Sequence, residues 1–193
     1  KGREKLLVDL AYTEGERPIV AQLFTGHPEK MFEASKLIQE LGFDGLDINM
    51  GCPDRAVEKQ CAGASLMKNP RLARELIRAA KEGAPKLPIS VKTRIGYNKN
   101  ELETWLPELL AENPAVVTIH CRTRKEMSDV PARWEHVAEA VKIRDSFFSS
   151  PPAGGEERKF SLRKTLNVPS SEREECTASV GRDKRGGGRK TLI

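Results

Sequence analysis

The chain is 193 residues long, 38% apolar, 5% aromatic and 32% charged, enough for one globular domain whose core needs no disulfide staples. The net charge of +5 is gathered near the end: Ser146 to Ile193 holds ten Lys/Arg against six Asp/Glu, and residues 1–145 hold 23 against 22. A near-neutral main part excludes capture of nucleic acid by bulk charge alone. No run of about 18 apolar residues is present to span a membrane. The start, Lys-Gly-Arg-Glu, has neither a secretory apolar run nor an initiating Met, so a processed chain or a fragment is expected. Cys52, Cys61, Cys121 and Cys176 are few and irregularly spaced, which points to reduced thiols in a cytoplasmic protein.

Apolar runs of strand length alternate with segments of helical period. Pro18 to Phe24 reads as a strand, and Pro28 then stands where a helix favours proline,. Met31, Phe32, Leu37, Ile38 and Leu41 recur as one buried stripe, and Gly42 stops that helix,. Gly45 to Asn49 is a second strand. After a Gly/Cys/Pro loop, Asn69-Pro70 opens a helix with Leu72, Leu76, Ile77 and Ala80 inward and Gly83 as its C-cap. Pro88 to Thr93 is a third strand. Leu102, Trp105, Leu106, Leu109 and Leu110 mark a helix that Pro107 must kink or shift,. Ala115 to His120 is a fourth strand, followed by a helix with Trp134, Val137 and Val141 facing inward.

Four strand–helix units in succession describe an α/β fold with a parallel sheet, either doubly wound or a (β/α)8 barrel. After Arg144 the pattern stops, and 16 of the last 48 residues are Ser, Gly or Pro. Residues 1–17 read as a lead-in, 18–145 as the domain, and 146–193 as a disordered or non-homologous tail.

Function in parallel α/β folds sits at the carboxyl ends of strands. Gln22, Asn49, Lys92 and His120 each end a strand after apolar residues. Four hydrogen-bonding types on one rim argue for a polar ligand. The loop Met50-Gly51-Cys52-Pro53-Asp54 follows Asn49. An ordinary thiol, with a pKa of about 8.5, is mostly protonated at pH 7 and so can donate a proton as well as attack. Cys52 equally reads as a small packed hydrophobe. Lys92 has a plain alternative as a strand-end lysine whose head reaches water. Arg122 and Arg124 read as a salt-bridged face or as contacts to RNA phosphates. The cysteine and histidine spacings match no zinc pattern, and no metal is expected.

Asp47-Ile48-Asn49-Met50-Gly51-Cys52-Pro53, Gly63-Ala64-Ser65-Leu66-Met67, Val91-Lys92-Thr93-Arg94-Ile95-Gly96 and Ile119-His120-Cys121-Arg122-Thr123 together resemble the tRNA-dihydrouridine synthases over about residues 18–143. The resemblance implies a partial (β/α)8 TIM barrel of about four units, with FMN as cofactor, NADPH as reductant and tRNA as substrate and partner. It implies that Gln22, Lys92 and His120 bind FMN, that Asn49 and Arg94 hold the target uracil, and that Cys52 is the general acid. NADPH would reduce FMN, reduced N5 would pass hydride to uracil C6, and the Cys52 thiol would protonate C5 from the other side of the ring. The target base would have to leave the RNA stack. A cytoplasmic monomer without membrane or metal is expected.

The sequence departs from the family pattern in having Cys121 where the family usually has Gly. A complete barrel needs about 250 residues; the first strand and the Asn-Gly-Asp and Gly-Arg phosphate loops have no counterpart here. This chain alone is therefore expected to bind FMN weakly or not at all, the tail being a truncation, frameshift or gene-model error. Two other readings remain: an FMN barrel enzyme on a free pyrimidine, of dihydroorotate dehydrogenase type, and an inactive remnant without flavin. The Gly-Cys-Pro loop with the downstream Gly-Ala-Ser-Leu-Met favours the tRNA enzymes over the free-pyrimidine reading.

Overall fold

A computed structural model describes residues 7, 8 and 10–149 and the pair Thr191–Leu192. The chain divides into two units, residues 1–150 with 190–193, and residues 151–189. The second unit, with Cys176 and the Gly186-Gly187-Gly188 run, lies outside the described residues, as does most of the expected tail.

The elements follow the alternation read from the sequence. They are β1 (Val20–Leu23), α1 (Pro28–Glu40), β2 (Gly45–Met50), a short α2 (Arg55–Glu58), a 3-10 segment Gly63–Lys68 and α3 (Pro70–Gly83). Then come β3 (Ile89–Arg94), α4 (Leu102–Leu110), β4 (Val116–His120), α5 (Glu135–Ser149) and β5 (Thr191–Leu192). Pro28 does begin α1. At α3, Asn69 caps through its side chain, which accepts from the Leu72 amide, and Pro70 follows in the first turn,. Pro107 is carried inside the nine-residue α4.

The strands are all parallel, in the order β4-β3-β2-β1-β5. This order decides between the two architectures left open by periodicity. β1 to β4 lie side by side in chain order, so every right-handed crossover carries its helix to the same face of the sheet. A doubly wound fold must reverse direction once and cover both faces. The arrangement here is that of consecutive units of a (β/α)8 barrel.

Strand alternation then sorts the side chains. Leu23, Leu46, Ile48, Met50, Ile89 and Val91 point to the helix side and pack with Met31 and Ile38 of α1 and Leu76 and Ile77 of α3 in the main core. A smaller cluster joins Ile95, Leu102, Leu106 and Leu110 to Ala140 of α5. The opposite sheet face carries Gln22, Asp47, Asn49, Ser90, Lys92, Arg94, Thr118 and His120, in register across neighbouring strands. At its amino-terminal edge Val20 is 51% and Val116 56% exposed.

Three packing expectations need correction. Phe32 is exposed; the buried positions of α1 are Met31, Ser35 and Ile38, because the stripe facing α3 is narrower than the run of apolar residues. Gly83 lies in the last turn of α3 and does not follow it. Its requirement comes from packing: a Cβ there would stand 2.3 Å from the Phe32 carbonyl oxygen. In α5 the stripe expected to face inward is outward, with Trp134 just before the helix 74% exposed and Val137 and Val141 also exposed. Ala140, Ile143 and Phe147 make the contact instead. The helix has two apolar stripes, and spacing alone does not say which meets the sheet. The same packing, with Phe147 and Phe148 edge to face, carries α5 to Ser149, beyond the boundary drawn at residue 145.

Candidate active site

The Cys52 loop is held by three parts of the chain at three successive carbonyls. The Gly51 oxygen accepts from Arg94 Nε at 2.8 Å, the Cys52 oxygen from the Ala64 amide at 2.9 Å, and the Pro53 oxygen from Arg124 Nη2 at 3.4 Å. From the other side, Asn49 Oδ1 accepts from the amides of Gly51 at 3.1 Å and Cys52 at 2.9 Å. Close approach explains the small residues nearby. Gly63 has φ +62°, and a Cβ there would lie 2.7 Å from the Cys52 oxygen and 2.9 Å from Val57 Cγ1,. Cys52 is left half-buried, against an exposed Cys61 and a buried Cys121. Burial pushes the Cys121 thiol above its ordinary value, which lowers its thiolate fraction.

Each strand-end residue is placed on the polar sheet face. Asn49 pairs in register with Lys92, and Arg94 with His120. Asn49 Nδ2 donates to Gln22 Oε1 at 3.0 Å, Gln22 Nε2 to Asp47 Oδ2 at 2.7 Å, and Ser90 Oγ to Asp47 Oδ1 at 2.6 Å. Strand-end reasoning missed Asp47 and Ser90, although the signal was present. They stand two residues before Asn49 and Lys92, hence on the same face by strand alternation.

Arg94 is only 5% exposed. Besides the Gly51 oxygen, it donates from Nη1 to the carbonyls of Thr123 at 3.1 Å and Met127 at 2.9 Å. Burial, with Arg122 next, pushes its guanidinium below the ordinary value, while Cys52 acts in the opposite sense. Arg124 does not lie open as a free phosphate contact. It forms a forked ion pair with Glu58 of α2 and sits 5.3 Å from the Tyr97 ring centre, where Lys68 Nζ lies at 3.6 Å,. Arg122 donates to the Val130 oxygen at 2.6 Å and approaches His120 Nε2 at 2.9 Å.

Guanidinium groups only donate, so Nε2 of His120 must accept, and the neutral ring carries its proton on Nδ1. Burial first, then Arg94, Lys92 and Arg122, pushes His120 down to about 4. Its folded value lies below the ordinary 6.5, so the unfolded chain binds more protons between those limits. Stability is therefore expected to fall as pH drops from about 6.5 towards 4,. His120→Gln should flatten that part of the profile, read as urea midpoints between neutral and mildly acid pH. An unaltered slope would remove His120 as the responsible group. Glu126 acts lower: Arg133, chiefly by its side-chain hydrogen bond, holds it down to about 2, so its contribution fades only below the ordinary carboxylate value.

Among the described residues no three His, Cys, Asp or Glu side chains gather as a metal site, and no helix is long and apolar enough to cross a membrane. The fold and this face define a barrel-type α/β protein with a thiol loop and a donor-rich polar surface at the carboxyl ends of its strands.

Comparison with known proteins then narrows the class. The family of dihydrouridine synthases matches residues 2–146, and the chain belongs to that family. It is 46% identical over 145 residues to "Probable tRNA-dihydrouridine synthase 2" of Bacillus subtilis (strain 168), covering 75% of this chain and 44% of that protein. It is 42% identical over 137 residues to "Probable tRNA-dihydrouridine synthase" of Staphylococcus aureus (strain COL), covering 70% and 41%. The corresponding Staphylococcus epidermidis protein (strain ATCC 12228 / FDA PCI 1200) is similar to the same degree. The chain thus spans less than half the length of these relatives.

Proposed function

We propose that the protein reduces uridine to 5,6-dihydrouridine in tRNA, with FMN as its redox cofactor and NADPH as the reductant. Family membership supports the reaction. The observation that carries the reading at residue level is the Cys52 loop, anchored by Asn49 on the strand whose next residue in register is Lys92.

The donor set fits a flavin. An isoalloxazine carries carbonyl oxygens along its pyrimidine edge, and Gln22, Lys92 and His120 bring N–H groups to one face,. Those three residues would hold FMN, which when bound supplies hydride chemistry on a planar ring. Lys92 contributes a positive charge on that face, suited to negative charge developing on a ring carbonyl. Asn49 keeps an N–H for the uracil, whereas Arg94 has committed Nε and Nη1 to backbone carbonyls. Only its Nη2 edge is left for a substrate oxygen, so its larger part is to hold the Gly51 carbonyl and with it the thiol loop. Cys52 donates its proton to uracil C5. The base reaches this face by leaving the RNA stack. A cytoplasmic, monomeric enzyme acting on tRNA is the natural setting.

Dihydrouridine in tRNA from cells carrying the intact gene, compared with a deletion strain, tests the reading. The expected result is loss of dihydrouridine at one or more positions on deletion and its return on re-expression. An unchanged tRNA nucleoside profile would overturn it.

A further inference from the structure

We propose that Asp47 is a positioning residue that, together with the Gly51 and Cys52 amides at the other end, locks the direction of the Gln22–Asn49 amide chain, so that both side chains show the ligand hydrogen-bond donors only. The direction follows from what each end can do. Backbone amides can only donate, so the atom of Asn49 facing the Gly51 and Cys52 amides must be its carbonyl oxygen,. Its NH2 group then turns to Gln22 and takes up the Gln22 oxygen at 3.0 Å. The Gln22 NH2 group is thereby aimed at Asp47, 2.7 Å away, where a carboxylate only accepts,. Ser90 donates to the remaining Asp47 oxygen at 2.6 Å and holds the carboxylate in place.

Both amide oxygens are consumed within the chain, and each NH2 group spends one hydrogen. One N–H on Gln22 and one on Asn49 remain, on half-buried side chains of the polar face. A ring lying there must turn acceptors towards them, as carbonyl oxygens or unprotonated ring nitrogens do. A ring N–H at either place would face another donor. An aliphatic residue at position 47 would remove one of the two partners that hold the Gln22 amide, leaving only the Asn49 NH2 group to oppose its rotation,.

The amide orientation does not depend on the uridine reading; only the claim that the ring is a flavin or a uracil rests on that reading. The experiment uses the 15N-labelled full chain and follows side-chain NH2 signals, assigned with Gln22→Ala and Asn49→Ala. Asp47→Ala should speed exchange of the Gln22 NH2 hydrogens with water by about tenfold. The effect should also reach Asn49 NH2 and the Cys52 amide, which Asp47 does not touch. Asp47→Asn can still offer an oxygen to Gln22 while its NH2 meets Ser90, and should restore slow exchange at all three. Should Asp47→Ala not fold, Ser90→Ala removes only the outer bond and is expected to move the same signals in the same direction, less far. A change confined to Gln22, no change at all, or failure of Asp47→Asn to restore the signals would overturn the proposal. Absence of dihydrouridine chemistry would leave these signals unaffected and so counts only against the functional reading.

Discussion

Cys52→Ala in the flavin-loaded full-length protein is expected to slow dihydrouridine formation in tRNA by about 10²- to 10⁴-fold, the range typical of a lost general acid. The cost to folding should be small. Cys52 is half-buried, and the loop is fixed by its backbone: Asn49 takes the Cys52 amide, and Ala64 holds the Cys52 carbonyl. The side chain can be shortened without removing any of those bonds. A defect in protonating C5 should therefore appear without a matching change in the unfolding midpoint. Cys52→Ser serves as a stricter variant. It restores nearly the same shape, but a hydroxyl gives up a proton far less readily than a thiol, so the rate should stay low. Rapid-mixing absorbance separates the two halves of the reaction, since flavin bleaching by NADPH precedes any contact of the thiol with uracil. Equal loss of both halves in a folded, flavin-loaded variant would show that Cys52 supports cofactor binding and is not the proton donor.

The order of strands and the longer helices was legible because each strand is a short apolar run, α1 and α3 are opened by Pro28 and Asn69-Pro70, α4 carries a leucine-rich face and α5 has apolar residues at helical spacing. The polar strand ends were legible for the same reason, as interruptions in apolar runs. Orientation was less accessible. Trp134, Val137 and Val141 have helical spacing, yet Ala140, Ile143 and Phe147 do as well, and only the packing against α4 selects the second set. Gly83 shows another limit: its place near a helix end suggests capping, whereas its cause is the Phe32 carbonyl of a different helix. In the site, residue types were readable but their engagements were not. Arg94 and Arg124 look alike as basic residues near strand ends. One is buried among three carbonyls and the other is paired with Glu58, 66 residues away in the chain. Such contacts depend on loops that share no sequence pattern.

Arg94→Ala is expected to destabilise the domain by at least about 3 kcal/mol, read as a lower urea midpoint with an unchanged slope. The physical reason is the number of carbonyls left behind. Arg94 serves the oxygens of Gly51, Thr123 and Met127 at 2.8, 3.1 and 2.9 Å, and each belongs to a loop with no regular partner to take its place. Charged hydrogen bonds contribute about 1.5–3 kcal/mol each, and a carbonyl left unpaired away from water loses more than the bond itself. Opposing this, a buried guanidinium is costly to desolvate, in keeping with its lowered pKa, and its removal returns part of that cost. The balance favours Arg because its planar fork meets several oxygens at fixed angles. Arg94→Lys distinguishes geometry from charge: a single ammonium keeps the charge but cannot reach both the Gly51 oxygen and the pair beyond it. It should recover only part of the lost stability. If Arg94→Lys were as stable as the parent, charge alone would suffice and the clamp on the thiol loop would have to lie elsewhere. If Arg94→Ala were also unchanged in stability but lost uridine reduction, the residue would act on substrate through its Nη2 edge and not as the support of the Gly51–Cys52 turn.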